Sequence, residues 1–257
     1  MTEAINKLGI RIIGLQRTGN HPIINWIIKS SKKKYLFVNS IGPSVMPYGF
    51  SLLHAEGDYE FNGSMYDVIK KNIIKELSKE KKELVIYSHE DETLDTIKKC
   101  DRSTETYFGG FEKHFNVLIL RDPFNLFASQ MKSRWISYSD IKYNVQIWKE
   151  YAREFLEGSM LDNFVGINYN RWVVDKEYRK ETASKFGFES DESVIRVVSS
   201  YGSGSSFGDK EISKEKLMSR WESFKDNEDY RFLFDKEVFE LSEKIFGDIS
   251  GTSELLV

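Results

Sequence analysis

The chain has 257 residues, 40% hydrophobic and 30% charged, which is enough for a single domain over 1–257 built around a buried sheet. The formal charge of −3 and basic clusters that alternate with acidic runs give no polyanion-binding signature, so nucleic acid is not an expected partner. One cysteine, Cys100, excludes an intramolecular disulfide and a thiolate metal cluster; no membrane span or secretory leader is legible, so a cytoplasmic, non-membrane protein is expected.

The first predicted element is an apolar strand over 10–15, with Ile10, Ile12, Ile13 and Leu15. It runs into the turn Gly14-Leu15-Gln16-Arg17-Thr18-Gly19-Asn20-His21-Pro22, and a helix over 20–30 follows with Ile23, Ile24, Trp26, Ile27 and Ile28. The first amides of a helix have no intrahelical partner and carry partial positive charge, so a glycine-bracketed turn there reads as a phosphate cradle. Arg17 adds a full charge. A two-glycine turn also serves as a plain tight connection.

Gly14-x4-Gly19 matches the first six positions of the nucleotide-triphosphate phosphate loop, but Asn20 and His21 stand where that loop needs Lys and Ser or Thr. Without the lysine and the magnesium-binding hydroxyl, ATP or GTP hydrolysis is disfavoured. A phosphate-loop kinase is therefore a minor alternative.

A strand over 35–38 precedes a Gly/Pro-containing region, 41–64, expected to border an acceptor site. A helix over 65–79 and a strand over 84–88 come next, the strand leading to His89. An imidazole there titrates near working pH and is the first candidate for a general base, with Glu90 and Asp91 as adjacent rivals. A lone histidine after a strand is also often a capping or surface residue.

After an irregular insert over 91–113, a strand over 116–121 ends in Arg121-Asp122-Pro123-Phe124. It continues as a helix over 123–135 that contains Ser129. Asp122 can cap that helix and Pro123 can open it. Two strand-turn-helix segments thus put Arg17 and Arg121 at carboxyl ends of parallel strands, where ligands of open α/β sheets bind. This second segment favours the cradle reading. A long helix over 140–156, a strand over 164–168 ending at Tyr169, and helices over 171–186, 213–223 and 235–246 complete the pattern, with a Gly/Ser-rich stretch at 201–210.

In this order the segments resemble the sulfotransferase family. Arg17-Thr18-Gly19-Asn20-His21 is similar to its 5′-phosphosulfate loop, and Arg121-Asp122-Pro123 with Ser129 eight residues on is similar to its 3′-phosphate motif. Ile167-Asn168-Tyr169-Asn170 resembles the strand that delivers a Tyr-Glu pair, with Asn170 in place of glutamate. Tyr87-Ser88-His89 resembles Lys-Thr-His, with Tyr87 in place of lysine. Residues 201–210 occupy the place of the loop that closes over the nucleotide, without its Arg-Lys pair.

The resemblance covers about residues 10–246. It implies a three-layer α/β/α fold of phosphate-loop type with a mostly parallel central sheet. The donor it implies is 3′-phosphoadenosine-5′-phosphosulfate (PAPS), with 3′,5′-adenosine bisphosphate (PAP) as product and no metal. Arg17, Thr18, Gly19, Asn20 and His21 are expected at the 5′ end of the donor, and Arg121 and Ser129 at its 3′-phosphate. Tyr169 is expected near adenine, and Ser205 and Ser206 on the closing loop. His89 or Glu90 is the expected base and Arg17 an expected catalytic cation. The acceptor class is a hydroxyl or amine on a small molecule or glycan. A nucleotide-binding interaction protein that keeps the fold without transfer is the alternative from a different class. Aromatics such as Tyr48, Phe50, Tyr59, Phe61, Tyr107 and Phe108 are candidates to stack on an acceptor or to anchor loops.

Overall fold

A computed structural model describes residues 5–39, 54–58, 80–100, 104, 108–133, 135–194 and 214–256. The strands are β1 (Asn6–Gly14), β2 (Tyr35–Asn39), β3 (His54–Gly57), β4 (Leu84–Glu90), β5 (Phe111–Leu120) and β6 (Phe164–Asn168), in one sheet ordered β3-β2-β4-β1-β5-β6. β1 runs parallel to β4 and β5, and β2 runs parallel to β4; β3 is antiparallel to β2. The helices are α1 (Asn20–Ser31), α2 (Leu94–Lys99), α3 (Pro123–Met131), α4 (Tyr138–Glu157), α5 (Tyr169–Val174), α6 (Lys176–Phe186), α7 (Lys214–Met218), α8 (Glu228–Arg231) and α9 (Lys236–Phe246), with a 3-10 turn at Arg220–Phe224. This is the expected α/β fold with a mostly parallel sheet.

The described residues fall into two compact units. The first is drawn from Met1–Gly14, Lys32–Leu118 and Met160–Val165, the second from Leu15–Ser31, Ile119–Ser159 and Gly166–Val257.

In the first unit, β1 and β4 are buried along nearly their whole length, as expected of largely apolar strands covered on both faces, although β1 also buries Arg11 and β4 buries Ser88 and His89. β1 begins at Asn6, well before the apolar run that marks it in the sequence. Asn6 is polar yet fully buried, and it works in a strand because its amide is satisfied. Nδ2 donates to the Phe108 carbonyl at 2.6 Å, and Oδ1 accepts from the Lys82 amide at 3.1 Å. β5 likewise starts at Phe111 rather than 116, where exposed Glu112 and Lys113 hide it from a search for apolar runs, and it ends at Leu120, before Arg121. The expected irregular insert contains α2, whose first turn is capped by the Thr93 side chain.

In the second unit, Asp122 caps α3 by accepting from the Asn125 amide, and Pro123 occupies its first turn. That helix stops at Met131 instead of 135. α4 opens on a reciprocal Ser137/Asp140 capping box and ends at Gly158 in the left-handed conformation. It is tied to α9 by Lys149, buried and bridging Asp235 at 2.5 Å and Glu237 at 3.3 Å. The stretch expected as one helix over 171–186 is two, broken at Asp175. This residue is extended (φ −109°), and its carboxylate accepts from the Tyr178 amide and from Arg171. The stretch 213–223 is similarly divided into α7 and the 3-10 turn at Ser219.

The helix expected over 65–79 lies outside the described residues, as do 201–210 and most of 41–64, with Tyr48, Phe50, Tyr59, Phe61 and Tyr107. Among the described residues, no helix is long and apolar enough to cross a membrane, and no group of three or more His, Cys, Asp or Glu side chains is placed to hold a metal ion.

Candidate functional site

The chain leaves β1 at Gly14 and enters α1 at Asn20 through a reversal that needs two left-handed residues, Arg17 (φ 72°) and Gly19 (φ 107°). A left-handed arginine costs about 1 kcal/mol or more and persists only where its surroundings hold it. Here they do, through the carbonyls. The Leu15 carbonyl accepts from the Thr18 amide at 3.1 Å and from Asn20 Nδ2 at 3.2 Å. Those of Gln16 and Arg17 accept from Gln130 Nε2 at 2.9 Å and Arg121 Nη1 at 3.2 Å. With its negative dipole ends turned toward protein donors, the loop is suited to an anion, and the first turn of α1 carries no acidic residue to compete for its amides.

Thr18 and Asn20 are buried, whereas Arg17 and His21 are half-buried. Gly19 has a second constraint. A Cβ there would collide with the ring of Tyr169, which lies against the loop and is itself buried. That ring also stacks on Trp172 (centroids 6.1 Å apart) and lies beneath the Arg121 guanidinium, 5.4 Å from its centroid.

Arg121 is the centre of the arrangement. It is 2% exposed, and its guanidinium donates from Nη1 to the Arg17 carbonyl and to Ser129 Oγ (3.3 Å), and from Nη2 to the Leu217 carbonyl (2.8 Å). Among the described residues all of its hydrogen-bond acceptors are neutral. A buried guanidinium cannot discard its proton, and an ion removed from water costs several kcal/mol unless it is compensated. Carbonyl and hydroxyl dipoles supply part of that compensation.

Asp122, adjacent in sequence, is engaged elsewhere. Its carboxylate accepts from the Asn125 amide (2.8 Å), from Asn125 Nδ2 (3.0 Å) and from Asn170 Nδ2 (2.9 Å). This accounts for Asn170: a glutamate there would set a second carboxylate against Asp122, whereas the amide donates to it.

The sequence reading did not single out Arg220. It is buried, and its Nη1 donates to Ser129 Oγ at 3.0 Å, so two guanidiniums meet on one hydroxyl. Its only signal in the sequence was its place in a predicted helical stretch, where a buried arginine and a solvated one look alike.

The candidate bases lie at the end of β4. His89 is paired in register with Ile13 and Glu90 with Gly14, the residue from which the turn into α1 departs. His89 is fully buried, with its ring edge-on to Tyr87 at 6.0 Å, while Glu90 is half-buried. Tyr87, where the resemblance expects lysine, is engaged in the interior of the first unit. Its hydroxyl is 2.7 Å from His114 Nε2, and the Arg11 guanidinium lies 5.5 Å from its ring centroid. Burial, and secondarily the charge of Arg11, lowers the His114 pKa to about 4. Ser205 and Ser206 lie outside the described residues.

No protein-family model and no curated protein matches the chain. Among solved structures, the sulfotransferase domain from the Synechococcus PCC 7002 olefin synthase is similar in fold, with a TM-score of 0.53 over 96% of this chain and 98% of that one at 12% identity. The chain thus has a fold like that of a sulfotransferase domain.

Proposed function

We propose that the chain is a sulfotransferase that moves a sulfuryl group from PAPS to a hydroxyl or amine acceptor. The observation that carries the reading is Arg121. This buried cation is hydrogen-bonded to Ser129 on one side and to the Arg17 carbonyl of the phosphate loop on the other, so the two anion-binding motifs are joined through one side chain. The similarity in fold to a sulfotransferase domain supports it.

Arg121 and Ser129 then hold the 3′-phosphate, where the planar fork of arginine suits phosphate oxygens. Thr18, Gly19, Asn20 and His21 at the start of α1, with Arg17, hold the 5′ end and stabilise negative charge that develops on it. When bound, the donor supplies an already activated sulfuryl group, so the protein's work is alignment, charge stabilisation and removal of one proton. The acceptor proton passes to a base at the end of β4. Glu90 is the more accessible candidate, His89 being fully buried.

Incubation of the protein with PAPS and a panel of sugars, phenols, amines and lipids should release PAP. Glu90→Gln should lower the rate with PAP affinity unchanged if Glu90 is the base, and His89→Asn should do so if His89 is. Failure to bind either PAPS or PAP at millimolar concentration would refute the reading. The full burial of His89 favours a second reading, a nucleotide-binding protein without transfer, for which donor binding without PAP release on any acceptor is the expected result.

A further inference from the structure

We propose that Arg179 and Glu192 form a positioning pair for this site: without touching the nucleotide, they hold the Tyr169 ring against Gly19 and thereby set the affinity for the donor. This rests on the donor-binding reading above.

Tyr169 begins α5, a helix of six residues that is too short to be stable on its internal bonds alone. Its last carbonyls need outside donors, and Arg179 on α6 supplies them. Nη1 donates to the Trp172 carbonyl at 2.6 Å and to the Val173 carbonyl at 3.3 Å. Burial of a cation is costly without a counter-charge, and the Glu192 carboxylate provides one, accepting from Nε at 3.0 Å and from Nη2 at 2.5 Å. The planar fork of one guanidinium thus joins the end of α5 to the segment 188–194.

That segment is fastened in turn to α1, the helix that follows the turn at Gly19. Ser190 Oγ donates to Glu192 at 2.6 Å and accepts from Trp26 Nε1 at 3.0 Å, and the Asp191 amide donates to Ser30 Oγ at 3.0 Å. α1 and α5 meet again through their rings. Trp26 is edge-on to Trp172 with centroids 5.9 Å apart, Trp172 is stacked on Tyr169 at 6.1 Å, and Tyr169 fills the place that a Cβ on Gly19 would need. Trp26 and Trp172 are fully buried, so neither ring can move without displacing packed neighbours. Every link lies in the second unit. The two helices are therefore clamped at two places, by rings at one and through the Arg179–Glu192 pair at the other, and the Tyr169 ring is fixed before a nucleotide arrives. Such preorganisation lowers the ordering cost of binding.

The test is a double-mutant cycle of Arg179→Lys and Tyr169→Leu, read in PAP affinity by titration calorimetry. A lysine keeps the charge but cannot reach two carbonyls and a carboxylate at once, so Arg179→Lys should weaken PAP binding roughly tenfold. In the Tyr169→Leu background the same change should cost less than about twofold, because the ring through which it acts is gone. Ser190→Ala, which removes the bond from Trp26 to the segment 188–194 while Arg179 and Glu192 stay paired, should show the same pattern with a smaller loss. It decides the matter if Arg179→Lys does not fold. Wild-type affinity in the folded variants, or an equal loss in both backgrounds, would overturn the positioning role and leave the donor reading standing. Absence of PAP binding by the wild type would instead remove the donor reading, and this inference with it.

Discussion

Two basic side chains, a half-buried histidine in one compact unit and a buried arginine in the other, meet the same physical problem with opposite outcomes. His114 sits beside the Tyr87 hydroxyl and Arg11, and burial lowers its pKa to about 4, so at neutral pH it carries no charge. Arg121 has no such escape, because arginine stays protonated in proteins. Its guanidinium is instead held by three neutral oxygens, those of Arg17, Ser129 and Leu217. A charge that can be discarded inside a protein is consistent with a structural post. A permanent charge surrounded by dipoles is what the proposed function requires of a place that an anion would complete.

Removing the permanent charge should have the largest consequence. Arg121→Ala should weaken PAP binding by roughly 100-fold or more, as expected for loss of charge-assisted bonds to phosphate, and Arg121→Lys should recover little because an ammonium cannot reproduce the fork. Titration calorimetry measures both. Near-wild-type affinity in Arg121→Ala would erase the distinction between the two basic side chains.

The disposable charge predicts a pH effect of about 3 kcal/mol at most. Unfolded, the His114 ring takes up a proton near pH 6.5; folded, it does so only near 4. Between these values the unfolded chain binds a proton that the folded chain excludes, so stability should fall as the pH drops from about 6.5 toward 4 and level off below. Denaturant unfolding across that window should show the slope, and His114→Phe should flatten it. An unchanged slope in the variant would mean that other groups carry the acid sensitivity.

A smaller effect should come from the loop that meets Arg121. Gly19→Ala places a side chain at φ 107° against the Tyr169 ring and should cost roughly 2 kcal/mol. Part of that cost should vanish in a Tyr169→Ala background, because the collision is then absent. Strict additivity of the two substitutions in denaturant unfolding would show that backbone strain alone sets the cost.

The smallest expected effect concerns the helix ends. Asp122 caps α3 with its own carboxylate, so Asp122→Ala should cost about 1 kcal/mol in denaturant unfolding. α1, by contrast, has no acidic residue in its first turn, and added sulfate or phosphate should stabilise the wild type. No stabilisation by these anions would indicate that the turn is only a tight connection.

How much of this was legible in the sequence depended on what each residue needed from a distance. The two strand-turn-helix segments could be read because their signals are local. Gly14 and Gly19 bracket a turn, Asp122-Pro123 opens a helix, and Ser129 recurs on the same helix two turns on. β1 at Asn6 and the break at Asp175 could not, since each depends on a partner that the local pattern does not name: the Phe108 carbonyl and Lys82 amide for one, the Tyr178 amide for the other. Arg220 was hidden for a further reason. It is 91 residues from the serine it bonds, in a stretch where a helical period was expected and a 3-10 turn occurs.

The central claim is that the permanent interior charge is a nucleotide site for a 3′-phosphorylated adenosine. The most direct test is calorimetric titration of PAP into the wild-type protein without magnesium, beside a titration of ATP with magnesium. Micromolar PAP binding that magnesium does not improve, with ATP much weaker, is the expected result. A preference for magnesium-ATP, or no binding of PAP at millimolar concentration, would contradict it.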